Sequence, residues 1–86
     1  MSNDNPTAAQ INAHFSAMDD SVNLINATVA DDSDALATQT AAEVKRMVTR
    51  NTDHLEWQLG RDWAIADGRS KTSYTDAITA GKAYVG

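Results

Sequence analysis

The chain has 86 residues, a net charge of −5 and no cysteine, which leaves room for one small domain and excludes disulfides, thiolate metal sites and cysteine nucleophiles. Leu, Ile, Val and Phe together make up 14 of the 86 residues. That fraction is below the level of about 20% at which a charged chain has difficulty folding alone. The composition therefore predicts a thin hydrophobic core, completed by further copies of the chain or by a larger assembly.

Charge is distributed unevenly along the sequence. Residues 1–44 hold seven acidic residues and no Lys or Arg, whereas residues 45–86 hold seven basic and five acidic residues. This asymmetry fits two halves that pack against each other, or halves that each face a partner of opposite charge. The sequence shows neither the basic and apolar regions of a signal peptide nor an apolar run long enough to span a membrane. We expect a soluble, cytoplasmic chain without a membrane partner.

An apolar stripe in the first third of the chain predicts an amphipathic helix from about Pro6 to about Ala30, and Asn5 and Pro6 suit its start. Spacings of three and four residues alternate along the stripe, which places its members on one helix face. The members are Ala8, Ile11, Phe15, Met18, Val22, Ile25 and Val29. The stripe is either a coiled-coil seam between chains or the face that packs on a second helix of the same chain. The flanking charge pairs that select coiled-coil partners are missing, which favours packing within the chain.

A second helix is predicted after residues 31–34, three aspartates and a serine that favour caps and turns. Asp32 or Ser33 can cap this helix, which spans 33–59, or 33–67 if Gly60 is tolerated inside it. Residues 49–53 are poor helix formers and allow a break or kink there.

A short last helix over 73–85 is predicted from Ser73 and Asp76, which resemble a capping box. No strand alternation is found, so the predicted fold class is all-α. The predicted architecture is a single domain over 1–86, in which two long helices form a hairpin and the short C-terminal helix folds against it. The alternative keeps the first two helices as one long rod.

Motifs for catalysis, cofactors or metals are missing from the sequence. His14 and His54 are its only histidines, and neither has a second His or Cys at metal-ligand spacing. Lys45, Arg46 and Arg50 form a basic stretch, but too little positive charge accumulates in this acidic chain to bind nucleic acid. We predict a protein that is not an enzyme and that has no cofactor, no metal site and no nucleic-acid partner.

Two tryptophans stand out in a chain with few large side chains. Trp57 and Trp63 are predicted anchors, one in the local core and one presented to a partner, because Trp often dominates interface energy. The residues expected to carry packing or an interface are Ile11, Phe15, Met18, Val22, Ile25, Val29, Trp57 and Trp63.

The last third of the chain carries a recognisable pattern. It runs Trp57-Gln58-Leu59-Gly60-Arg61-Asp62-Trp63, then Asp67-Gly68-Arg69, then Tyr74 and Ala77-Ile78-Thr79-Ala80-Gly81-Lys82-Ala83-Tyr84. This pattern resembles small helical structural proteins of tailed bacteriophages. The resemblance implies a minor component of the virion that docks on capsid or connector subunits, and copies of the chain are further expected partners. The alternative function is a small acidic regulatory or chaperone-like module that masks a partner protein through its first helix.

Overall fold

The computed structural model describes residues 7–60 and 71–86. Regular secondary structure in this part of the chain is α-helical throughout, so the predicted all-α class is confirmed. The helices are α1 (Ala8–Ala30), α2 (Ser33–Thr38), α3 (Ala41–Leu59) and α4 (Lys71–Val85). The single long helix that was predicted from residue 33 onward is therefore divided into α2 and α3. The predicted cap at Ser73 is wrong, because Ser73 lies within α4.

Helix α1 begins with a capping box that differs from the predicted start at Pro6. The Thr7 hydroxyl accepts from the Gln10 amide at 3.1 Å, and the Gln10 side chain accepts from the Thr7 amide at 2.8 Å. This reciprocal pair satisfies two backbone donors that a helix end otherwise leaves unpaired. The helix ends at Ala30, where Asp31 adopts an extended backbone.

A second capping box divides the predicted second helix. Gln39 is extended, and Thr40 begins α3 by accepting from the Glu43 amide at 3.1 Å while the Glu43 carboxylate accepts from the Thr40 amide at 2.8 Å. These hydrogen bonds hold the pKa of Glu43 below its usual value. The sequence analysis missed this break, although Thr and Glu three residues apart are its signature.

The expected weak point at residues 49–53 lies in the middle of an unbroken α3. Three polar side chains bond back to the carbonyls four residues earlier: Thr49 to Lys45, Asn51 to Met47 and Thr52 to Val48, each at 2.8 Å. Such back-bonding satisfies polar groups inside the helix. The kink allowed by helix propensity is therefore not formed. Helix α3 ends at Leu59 with Gly60 as its cap, and residues 61–67 of the longer alternative lie outside the described residues.

Helices α1, α3 and α4 pack side by side, and the side-chain hydrogen bonds between them indicate the direction in which each helix runs. Ser21 on α1 donates to Asn51 on α3 at 3.0 Å, in an antiparallel pair. Tyr74 and Tyr84 on α4 donate to Asp19 at 2.8 Å and to Asp32 at 2.9 Å, so α4 runs parallel to α1. The exposed Lys82–Glu56 pair at 2.9 Å joins α4 to α3, and such surface pairs contribute little stability. The single-rod alternative is therefore wrong.

The stripe of α1 faces the interior of this bundle. Phe15, Met18, Val22 and Ile25 are buried, and Ile11 packs against them at the edge of the core. The core is completed by side chains of α3 and α4, namely Val44, Val48, Leu55, Tyr74 and Ala77. The rings of Phe15 and Tyr74 stack with centroids 6.0 Å apart. Most of the stripe is thus covered within its own chain.

The two end members of the stripe are not buried, since Ala8 is exposed and 39% of Val29 is exposed. The hydrogen bond from Tyr84 to Asp32 shows that α4 reaches its last turn beside this end of α1. Packing of Val29 in the core, which the spacing predicts, is therefore wrong.

Gly81 lies where the three helices come closest. A Cβ atom at this position would lie 2.3 Å from the Thr52 hydroxyl oxygen and 3.4 Å from side-chain atoms of Ile25 and Val48. The first distance is far shorter than any real contact, and Thr52 cannot turn away without giving up its bond to the Val48 carbonyl. The backbone of α4 can approach α3 this closely only because residue 81 has no side chain.

Replacing Ile25 by Ala removes a fully buried side chain, and we expect a loss of about 2–5 kcal/mol in the free energy of unfolding. Val29→Ala is the matched change at the exposed end of the same stripe, and we expect it to cost about 0.5 kcal/mol or less. Urea titration followed by circular dichroism measures both. Equal losses at the two positions would contradict the burial described above.

Gly81→Ala should destabilise the bundle, because overpacking costs about 1–3 kcal/mol and offsets the gain in helix propensity of about 1 kcal/mol. Adding Thr52→Ala removes the clashing hydroxyl and should restore part of the loss. Gly60→Ala is the control, since its new methyl group would meet atoms no closer than 3.4 Å. A Gly81→Ala protein as stable as the wild type in urea titration would overturn the close approach.

Candidate functional site

The largest described groove lies at the end of the bundle where α1 stops and α3 starts, with α2 forming its third wall. Its volume is about 480 Å³. It is lined by Leu24, Ala27, Thr28, Asp31, Asp34, Ala35, Thr38, Gln39 and Met47. Leu24 lies within the groove and is 38% exposed, and Leu36 on α2 is 41% exposed. Large apolar side chains that stay outside the core therefore collect at this end.

Acidic residues border this groove, and no Lys, Arg or His lines it. The Asp31 carboxylate is held in place because its Oδ1 atom accepts from the Ser33 amide at 3.0 Å and from the Ser33 hydroxyl at 2.7 Å. These two hydrogen bonds, the one from the hydroxyl foremost, lower the pKa of Asp31. Asp34 is exposed in the first turn of α2. The apolar lining residues Leu24, Ala27, Ala35 and Met47 form what we call the floor of the groove, beside the polar Thr28, Thr38 and Gln39 and the fixed negative charge of Asp31.

Asp32, between these two acidic residues, does not line the groove and is hydrogen-bonded to α4. It accepts a hydrogen bond from the Tyr84 hydroxyl at 2.9 Å, which fixes the α1–α2 turn against the end of α4. The same hydrogen bond is the main reason that the pKa of Tyr84 is raised, with burial and the nearby negative charge adding to it. Of the two caps predicted for the second helix, Asp32 is the N-cap residue of α2, although its side chain makes no capping hydrogen bond there.

Tyr84→Phe should change how the stability of the protein depends on alkaline pH. A raised folded-state pKa means that the contribution of Tyr84 is fully present below its ordinary pKa of 10.0 and is lost as the pH rises through the folded value. Melting temperatures from about pH 9 to about pH 12 should therefore fall less steeply in Tyr84→Phe than in the wild type. Asp32→Asn keeps an acceptor without the charge and should give an intermediate slope. Identical slopes in all three proteins would contradict the link.

The two tryptophans that were predicted as anchors differ in what the structure shows of them. Trp57 is 59% exposed on the face of α3 opposite to the buried Val48 and Leu55, so it is not the core anchor. The position of Trp57 agrees with the alternative that one tryptophan faces outward. Trp63 lies outside the described residues.

The two histidines, separate in sequence, line one open cleft between α1 and α3. Ala13, Ala17 and Gln58 complete its lining. Gln58 is only 8% exposed, and within the described part of the chain its side chain makes no hydrogen bond. The sequence analysis could not join His14 to His54, because only the antiparallel packing of two helices brings them together.

Two further findings bear on the kind of site that is present. Groups of three or more His, Cys, Asp or Glu side chains that could hold a metal ion are not found among the described residues. None of the helices in residues 7–60 and 71–86 combines the length and the hydropathy that crossing a membrane requires.

Comparison of the chain with models of known protein families, with curated proteins and with solved structures finds no match. What the groove can do therefore follows from its own residues. The sequence analysis did not select Leu24 or Leu36, since its apolar stripes followed the core. A large apolar residue out of phase with the core stripe, as Leu24 is, was the available signal.

Proposed function

We propose that this chain is a non-enzymatic structural protein that docks on a larger protein assembly, and that the assembly is a phage particle. In this proposal the chain is a minor virion component that binds capsid or connector subunits. The observation that carries the docking role is the groove between α1, α2 and α3, where Leu24 stays substantially exposed although the core of the chain is thin, with Leu36 exposed on α2 outside the lining of the groove. The phage particle as the host rests on the resemblance of the last third of the chain.

The groove replaces the α1 stripe as the proposed docking surface. Most of the stripe is buried in the core of its own chain and could contact a partner only if the bundle unfolded; the buried members are Phe15, Met18, Val22 and Ile25. Exposed leucines beside small alanines offer apolar area that a partner can cover. Each exposed leucine that a partner buries contributes about 1–2 kcal/mol to binding before the costs of association.

The acidic residues of the groove favour a second candidate function, a module that masks a basic partner protein. Asp31 and Asp34 supply the negative charge for it. Salt separates the two functions, because a complex that depends on exposed charges weakens as the Debye length falls to about 8–10 Å at physiological salt. Docking through the apolar floor persists under the same conditions.

The test of the virion proposal is to purify phage particles from cells that produce this chain and to search them for its peptides by mass spectrometry. We expect the chain to remain with the particles through a density gradient at high salt. Leu24→Ser and Leu36→Ser should reduce the amount in the particles several-fold, since the first removes apolar area from the groove and the second removes it from the exposed face of α2 beside the groove.

Val29→Ser serves as the control, because Val29 is exposed to a similar degree on the opposite side of α1 from Leu24. Circular dichroism must show that all three variants fold. Particles that lack the wild-type chain would refute the virion proposal and leave the masking function. Equal losses in all three variants would refute the groove as the docking surface.

A further inference from the structure

We propose that the groove between α1, α2 and α3 binds a cationic amphipathic helix of a partner protein, with the partner's apolar residues against Leu24 and Met47 and its Lys or Arg residues beside Asp31 and Asp34. This inference rests on the docking role proposed above and names the partner chemistry. The charge and the shape of the groove point to the same kind of segment.

The charge around the groove selects a basic partner. Asp31 and Asp34 line it, no basic side chain lines it, and Asp20 lies one turn before Leu24 on the same face of α1. No ion pair within the described residues neutralises these three carboxylates. A second copy of this chain brings its own net charge of −5, so an unrelated basic segment is the better complement.

The orientation of the Asp31 carboxylate is fixed before a partner binds. Both hydrogen bonds from Ser33 fall on its Oδ1 atom, so its orientation is fixed while no described residue bonds to Oδ2. A fixed carboxylate loses little side-chain entropy when it accepts a hydrogen bond from Lys or Arg. Preorganisation of this kind raises affinity without adding contacts.

The floor of the groove suits a helix rather than an extended strand. Ala27 and Ala35 are small, which lets another helix backbone approach, and Met47 is a flexible side chain that fits apolar surfaces of different shapes. The described walls are themselves helices, whose backbone groups are paired internally, so the groove has no sheet edge to which a strand could add. Recognition therefore follows the helix-in-groove mode, with apolar anchors three and four residues apart.

The experiment uses the full chain and two synthetic helical peptides with the same leucine face, one carrying lysines and the other glutamates on the opposite face. Binding is measured by titration calorimetry, and the binding surface is mapped by backbone amide NMR shifts. We expect the lysine peptide to shift the amides of Leu24, Ala27, Ala35 and Met47, and the glutamate peptide, which has the same leucine face, to bind at least tenfold more weakly.

Variants locate the interaction. Asp34→Lys and Leu24→Asn should each weaken the lysine peptide by about tenfold or more, which corresponds to about 1.4 kcal/mol. Asp76→Lys on α4 is the matched control, since it makes the same charge change away from the groove and should reduce binding much less. Circular dichroism shows whether each variant keeps its helices.

The proposal is overturned if neither peptide binds, if the glutamate peptide binds as tightly as the lysine peptide, or if Asp34→Lys and Asp76→Lys have the same effect. Shifts that map to the outward face of α3 around Trp57 would also overturn it. None of these outcomes affects the detection of the chain in particles. Failure of the cationic-helix inference is thus distinguishable from failure of the virion proposal.

Discussion

The bundle depends on the separation between α3 and α4 at Gly81. There the backbone of α4 lies against the Thr52 hydroxyl, and Ile25 and Val48 close in from α1 and α3. A glycine inside a helix costs roughly 1 kcal/mol relative to alanine, and this cost is offset by the complete burial of Ile25 and Val48. This chain has few large apolar residues, so its core is filled by helices that pack close together and not by large side chains.

The interior also contains small polar side chains beside the apolar ones. Thr52 is buried, and its hydroxyl is satisfied by the Val48 carbonyl of its own helix. Ser21 is satisfied by Asn51 across the α1–α3 contact. Polar groups in a core are tolerated when each has a partner, and these bonds let small polar residues fill positions where larger apolar ones would not fit. Tyr74 follows the same rule, with its ring against Phe15 and its hydroxyl on Asp19.

Periodicity predicted the parts of the fold that depend on a single helix. The buried face of α1 and its end at Ala30 both follow from spacing and from the aspartates after it. The division between α2 and α3 was missed because alanines on both sides favour a continuous helix, and the Thr40–Glu43 capping box outweighs that preference locally. Propensity also suggested a weak point in α3, where bonds from Thr49, Asn51 and Thr52 to preceding carbonyls keep the helix intact.

Features that depend on several helices could not be predicted from spacing. The exposure of Val29 depends on how the other helices lie against α1, and the cleft that His14 and His54 both line depends on the antiparallel register of α1 and α3. The groove draws its lining from three helices, so no window of sequence contains it. Leu24 was the one visible sign, since it is apolar but lies away from the stripe.

Helix α2 has no buried residue and consists of six residues. The free energy that holds it in place therefore comes from the local bonds of Asp31 and Ser33, from the hydrogen bond between Tyr84 and Asp32 at its start, and from a small contact with α3, not from the core. A segment with so little buried surface is expected to open locally at a lower free-energy cost than α1, α3 and α4. The anchored start of α2 and its unburied remainder thus give one wall of the groove a fixed end and an adjustable end.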